Sequence, residues 1–309
     1  MIKVFCQSGD HDMKMIREIN EMKSYVQTLK AEGKKIGFVA TMGYFHDGHL
    51  ALMKAAKREN DAVIASIFVN PLQFGPNEDF DTYPRDEERD IRLAKEVSVD
   101  ALFIPSGEEM YPRHPMITLG ITERTNVLCG KSRPGHFDGV LIVLTKLFHI
   151  IEPDKVYFGM KDAQQTAVVE ALIRDLNFSI ELVGVDTVRE EDGLAKSSRN
   201  VYLTDEERKE AAWLYQALEK GRKMVANGET DASVIINEVK QTILENTNGQ
   251  IDYVELHSYP ELKPVSIIKE QVILAVAVYF NKARLIDNII FDQTGRKTTP
   301  FPPSIHVKS

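Results

Sequence analysis

The sequence predicts an α/β fold, a Rossmann-like parallel sheet with flanking helices, joined to a smaller α+β C-terminal domain. Three observations carry this. Short apolar, β-rich runs alternate with segments of helical apolar spacing from residue 36 to residue 188, the pattern of a parallel sheet whose crossovers are helices. Polar, glycine-bearing loops follow the strand runs, where open α/β sheets bind ligands. After residue 188 the texture changes to two long helical stretches and then strands, which marks a second unit.

Residues 14–31 place Ile16, Ile19, Met22, Val26 and Leu29 at helical spacing and stop before Gly33, which predicts a helix. Strands are expected at 36–41 (IGFVAT), 62–70, 101–106, 155–160 and 180–188, with helices over LALMKAAKREN, 85–97, 139–151 and 163–176. The second unit reads as helices in LTDEERKEAAWLYQALEKGRKMVANG and DASVIINEVKQTILEN. A strand follows at 251–259, then two strands within 271–291 that turn at Asn281-Lys282. The expected division is 1–188 for nucleotide and acid binding and 189–292 for a closing domain. The Pro- and Thr-rich tail 293–309 is expected to be loosely ordered.

The 309 residues are 43% hydrophobic and 27% charged, an ordinary globular composition. A formal net charge of -8 disfavours a nucleic-acid partner, since phosphate backbones reward a basic face. No apolar run approaches the roughly 20 residues that span a bilayer, and the N-terminal stretch lacks the apolar core of a signal peptide. Cys6 and Cys129 have no CxxC partner or metal-ligand spacing and read as free thiols in a reducing cytoplasm.

Five segments carry candidate chemistry. HDGH (46–49) follows a strand and a glycine turn and opens a helix. His46 and His49, three apart, share a face of the first helical turn. Gly48 permits close approach to the backbone, and the helix start favours an anion. Two imidazoles there suit the phosphates of ATP; the plain alternative is a pair of surface histidines, and zinc lacks a third ligand nearby. GLAKSSRN (193–200) gathers Lys196, Ser197, Ser198 and Arg199 without a carboxylate. It is either a loop that folds over a triphosphate or a basic linker. FGMKDAQQ (158–165) puts Lys161 and Asp162 at a strand's carboxyl end, to meet a phosphate and ribose hydroxyls; Asp162 also fits a helix N-cap. Asn70 and Gln73, in SIFVNPLQFGPNEDFDTYPRD, offer neutral polar groups to a hydroxy-acid, or sit in a plain loop. Arg133 and His136, in KSRPGHFDGV, hold an anion or are merely solvated.

Taken together, the motifs TMGYFHDGHLALM, SIFVNPLQFGPNEDFDTYPRD, RPGHFDGV, VYFGMKDAQQ and DGLAKSSRNVYL resemble the pantothenate synthetase (pantoate–β-alanine ligase) family from about residue 14 to about residue 290. The resemblance implies an AMP-forming ligase of the HxGH nucleotidylyltransferase type. Pantoate attacks the α-phosphorus of ATP, releasing pyrophosphate, and β-alanine then displaces AMP from pantoyl adenylate. It further implies magnesium with the ATP, no tightly bound organic cofactor, and a cytoplasmic homodimer.

Carried over by residue, the resemblance makes His46, His49, Lys161, Ser197, Ser198 and Arg199 the catalytic set. Met42, Gly159, Asp162, Val188 and Lys196 join them around ATP. Gln73, Gln165, Asn70, Tyr83, Arg133 and His136 are expected around pantoate and β-alanine, and Asp90 is a candidate magnesium ligand. Two positions depart from the family pattern. Ala40 stands where proline is usual, which should loosen the turn, and Lys196 stands where an apolar residue is frequent. Rival readings are another HxGH nucleotidylyltransferase, which would not need β-alanine, and a non-catalytic nucleotide-binding or RNA-binding relative of aminoacyl-tRNA synthetases.

Overall fold

The computed structural model describes residues 13–76 and 78–301. Cys6, the segment before Met13 and the end of the tail lie outside the described residues. In chain order the elements are β1 (Lys14–Ile16), α1 (Ile19–Ala31), β2 (Ile36–Thr41), α2 (Asp47–Glu59), β3 (Ala62–Ile67), α3 (Glu87–Glu96), β4 (Ala101–Phe103), α4 (Gly107–Met110), α5 (Leu128–Ser132) and α6 (His136–Ile151). There follow β5 (Lys155–Gly159), α7 (Ala163–Asp175), β6 (Glu181–Val185), α8 (Asp205–Ala226), α9 (Ala232–Asn246), β7 (Gln250–Ser258), β8 (Val272–Tyr279) and β9 (Arg284–Phe291).

Six strands form a parallel sheet in the order β1-β4-β3-β2-β5-β6. The strands read as continuous apolar runs because both faces are covered. Phe38 and Ile64 point into a core with α1 and α6, while their neighbours Val39 and Ala65 point into a core with α2 and α3. From β2 the chain winds outward to β3 and β4, then returns to build β5 and β6 on the other side. The carboxyl ends of β2 and β5 are therefore the switch point at which such sheets open a crevice.

The second sheet is antiparallel, β7-β8-β9. One face packs on α8 and α9 through Leu218, Ile235, Leu274 and Val276. Thr204 and Glu207 form a reciprocal capping box that starts α8, and Asp231 caps α9. The other face, with Tyr253, Ile273, Ala275 and Ile290, packs on Leu128, Met160, Ala163 and Ala167 of the large sheet's helices. The two sheets thus share an apolar interface.

Two expectations fail here. Residues 14–16 are not helical: they pair with β4, Lys14 opposite Ala101, and the helix begins at Ile19. A three-residue apolar run carries no period of its own, so the open edge of β4 decides its conformation. The start of the tail is not loose either. Thr298 N donates to Ile290 O at 3.0 Å, Gly184 N donates to Phe301 O at 2.6 Å, and the Thr299 hydroxyl donates to Asp186.

Candidate functional site

The turn between β2 and α2 is built by four hydrogen bonds. The Thr41 hydroxyl donates to Ser66 O at 2.6 Å and accepts from Gly43 N at 3.0 Å. Both oxygens of buried Asp90 accept backbone bonds, from Tyr44 N at 2.7 Å and Phe45 N at 2.6 Å. Two expectations fit this turn poorly. Asp90 is badly placed to hold magnesium: it is buried, each of its oxygens already accepts a backbone bond of the turn, and burial pushes its carboxyl above the usual range. Ala40 does not loosen the turn, because it lies inside β2 opposite Ser66.

His46 is the N-cap of α2 and His49 its third residue, and the pair form a capping box made of imidazoles. His46 Nδ1 accepts from Gly48 N at 3.1 Å, and His49 Nδ1 accepts from His46 N at 3.3 Å. A Cβ at Gly48 would lie 2.8 Å from the His46 ring, so glycine is needed for that ring to fold back. A nitrogen that accepts a backbone bond carries no proton. Both rings are therefore held as the neutral Nε2–H tautomer, with Nε2–H as the free donor. Burial, with Lys161 nearby, pushes His46 down to about 4. Burial and the neighbouring ring push His49 well below the ordinary histidine range.

Every expected site residue except Asp90 lines one cleft of about 240 Å³ at the switch point. It adjoins a second cleft of about 730 Å³ between the two sheets, with Arg133, His136, Lys161, Gln165 and Arg199 shared by both. Met42 and Gln73 meet across the floor, Gln73 Nε2 lying 3.2 Å from the Met42 sulfur. Asn70 is tied up internally: its amide donates to Gly139 O at 3.0 Å and its carbonyl accepts from the Tyr111 hydroxyl. Gly139 is required there, since a Cβ would stand 2.2 Å from Leu72 O. Gln165 faces the cleft, whereas its neighbour Gln164 bonds Arg124 O, Val127 O and Gly130 N and so holds the 124–130 loop. Asp162 stands at the N-cap position of α7 but makes no side-chain capping bond, so the capping alternative falls.

The cations of the site are paired with carboxylates. Arg199 meets Asp79 at 3.0 and 3.1 Å, and Arg133 meets Glu78 twice at 2.6 Å. Lys196 meets Asp47 and Glu190. Lys161 stands 3.6 Å from Asp162. His136 Nδ1–H donates to Gln73 O at 2.8 Å and Nε2 accepts from Arg133, which aims the guanidinium. Burial, then the Arg133 charge, pushes His136 down to about 4. Tyr83 lies 3.4 Å from the Ser198 hydroxyl, so it touches the 196–199 loop. Val188 O accepts from Lys196 N at 2.9 Å.

Sequence reasoning missed Asn288 and Asp287. Asn288, on β9, donates its buried amide to Met160 O at 3.0 Å and Lys161 O at 2.8 Å. Asp287 pairs with Arg189 at the junction of the two sheets. The only sequence signal is a polar Asp-Asn pair inside an apolar strand run. Among the described residues no group of three or more His, Cys, Asp or Glu could hold a metal ion. Cys129 is a free thiol beside the Tyr253 hydroxyl.

The chain matches the family model described as pantoate-beta-alanine ligase over residues 14–290. It belongs to the pantoate–β-alanine ligase family. Pantothenate synthetases from Geobacillus sp. (strain WCH70) and Bacillus subtilis (strain 168) are 62% and 60% identical to it. These alignments cover 89% and 91% of this chain and 98% of each relative. The crystal structure of pantothenate synthetase from Thermus thermophilus superposes with a TM-score of 0.85 at 44% identity, covering 90% of this chain and 99% of that one. A Francisella tularensis pantoate-beta-alanine ligase, complexed with beta-gamma ATP and beta-alanine, matches with a TM-score of 0.73 at 34% identity, covering 91% of this chain and 98% of that one. The family's activity, the joining of pantoate to β-alanine, is the activity of this chain.

Proposed function

We propose that the chain makes pantothenate in two steps through pantoyl adenylate. The observation that carries this is the pair of Nε2–H donors fixed at the α2 start, beside Lys161 and the Ser197–Arg199 loop, with Gln73 and Gln165 in the same cleft. The amides hold pantoate. Its carboxylate oxygen attacks the α-phosphorus, and the bond to the β-phosphate breaks with its electron pair leaving on pyrophosphate. The imidazole donors, Lys161 and Arg199 neutralise the charge that builds on the phosphates, so the step needs positioning and no covalent enzyme intermediate. The amine of β-alanine, reaching the site through the larger cleft, then attacks the acyl carbon. The C–N bond forms, the C–O bond to AMP breaks, and the amine's proton passes to solvent.

Magnesium belongs to the substrate in this reading and enters on the phosphates of ATP. The division at residue 188, a homodimer and a cytoplasmic location remain parts of the same proposal. The location is supported by the use of ATP. Supplying ATP and pantoate without β-alanine should allow labelled pyrophosphate to exchange into ATP, and adding β-alanine should release AMP. ADP as product, or exchange that requires β-alanine, would refute the adenylate.

A further inference from the structure

Lys196 immediately precedes the Ser197-Ser198-Arg199 run. Its ammonium lies 3.0 Å from Asp47 Oδ2 and 2.8 Å from Glu190 Oε2. Asp47 is the first residue of α2, between His46 and Gly48. Glu190 belongs to the hairpin 189–195, closed by the Arg189–Ala195 bridge and the bond from Glu190 N to Leu194 O at 2.8 Å. One ammonium therefore joins the wall that carries the histidines to the wall that carries the 197–199 loop. Lys196 N, bonded to Val188 O at 2.9 Å, fixes the backbone from which that ammonium reaches. An apolar side chain cannot make this link.

We propose that Lys196 is a positioning residue for the adenylation step. The Asp47–Lys196–Glu190 clasp holds the Ser197–Arg199 loop against the start of α2 before the nucleotide arrives. Ordering a free loop costs conformational entropy at every residue that is fixed, and a loop already ordered binds its ligand without that cost. This rests on the ATP-dependent reading above. The competing role, a direct bond from Lys196 to a phosphate, has the opposite sign. The two carboxylates would then compete with ATP, and neutralising either would tighten binding.

ATP affinity, measured by calorimetry at low and high ionic strength, and steady-state kinetics decide between them. Lys196→Met should raise the Kd and KM for ATP about fivefold, the scale of a partly shielded ion-pair network, with the KM for pantoate and the thermal midpoint unchanged. Glu190→Gln should shift them the same way by less. Lys196→Arg should behave like the parent, and Glu190→Lys combined with Lys196→Glu should recover part of the loss. Added salt should weaken the parent more steeply than Lys196→Met. Tighter ATP binding by Glu190→Gln or Asp47→Asn, or unchanged affinity in Lys196→Met, would overturn the clasp while leaving the adenylation reading intact. A parent protein that does not bind ATP would overturn both.

Discussion

In the proposed reaction His46 and His49 meet the phosphates through Nε2–H, while Nδ1 sets the direction of each ring. Because each Nδ1 accepts a backbone bond at the α2 start, each Nε2–H is aimed without help from another side chain. Removing one such donor from a phosphate transition state should cost about 10²–10³ in turnover. His49→Ala is therefore expected to lose turnover on that scale while its urea midpoint stays near the parent's; near-normal turnover would refute the role. His136 makes a different prediction. Its folded-state value of about 4 lies below the ordinary 6.5, so the native protein holds it neutral. The stability this contributes is complete above about 6.5 and is lost as pH falls from there toward 4. The loss should reach the order of 3 kcal/mol. His136→Gln should flatten the decline of the urea midpoint between pH 7 and pH 5, and an equal decline in both proteins would contradict it. Asp90 marks where residue-level reading stopped short. Its charge was visible in the sequence, but its two backbone partners, more than 40 positions away, were not.

At the scale of elements, the loops after β2 and β5 line the cleft, and their place was legible because a strand, a polar turn and a helix follow one another locally. IGFVAT matched β2 residue for residue, since a strand covered on both faces must be apolar throughout. The support given to the β5 loop by β9 was not legible, because Asn288 reaches Lys161 O across 127 positions. Asn288→Ala should leave the Lys161 ammonium in place chemically but free its backbone. A lowering of kcat by about ten- to a hundredfold is expected, with a smaller change in the KM for pantoate. A change confined to thermal stability would show that Asn288 serves the fold alone.

At the scale of the whole molecule, the small sheet is joined to the large one by apolar contact on one face, the Arg189–Asp287 pair and the Asn288 bonds. We expect a unit held by an apolar face and a buried ion pair to unfold together with its neighbour. Heating or urea should accordingly unfold the chain in one transition by circular dichroism and by the fluorescence of Trp213 on α8; two separated transitions would show independent units. The later helices and strands made the smaller sheet legible, but its contact with the large sheet was not, since it uses apolar residues that look like ordinary core. The returning tail has a further consequence for how copies of this chain associate. It takes up Gly184 N on the outer strand β6, and the opposite border of the six-stranded sheet is only the three residues of β1. Among the described residues both borders of this sheet are short strands, and the tail takes up one backbone donor of β6, which disfavours growth by edge-to-edge addition there. A mutation that unseats the tail from β6 should therefore raise the tendency to aggregate, read by light scattering on heating; unchanged scattering would show that the tail does not guard this border.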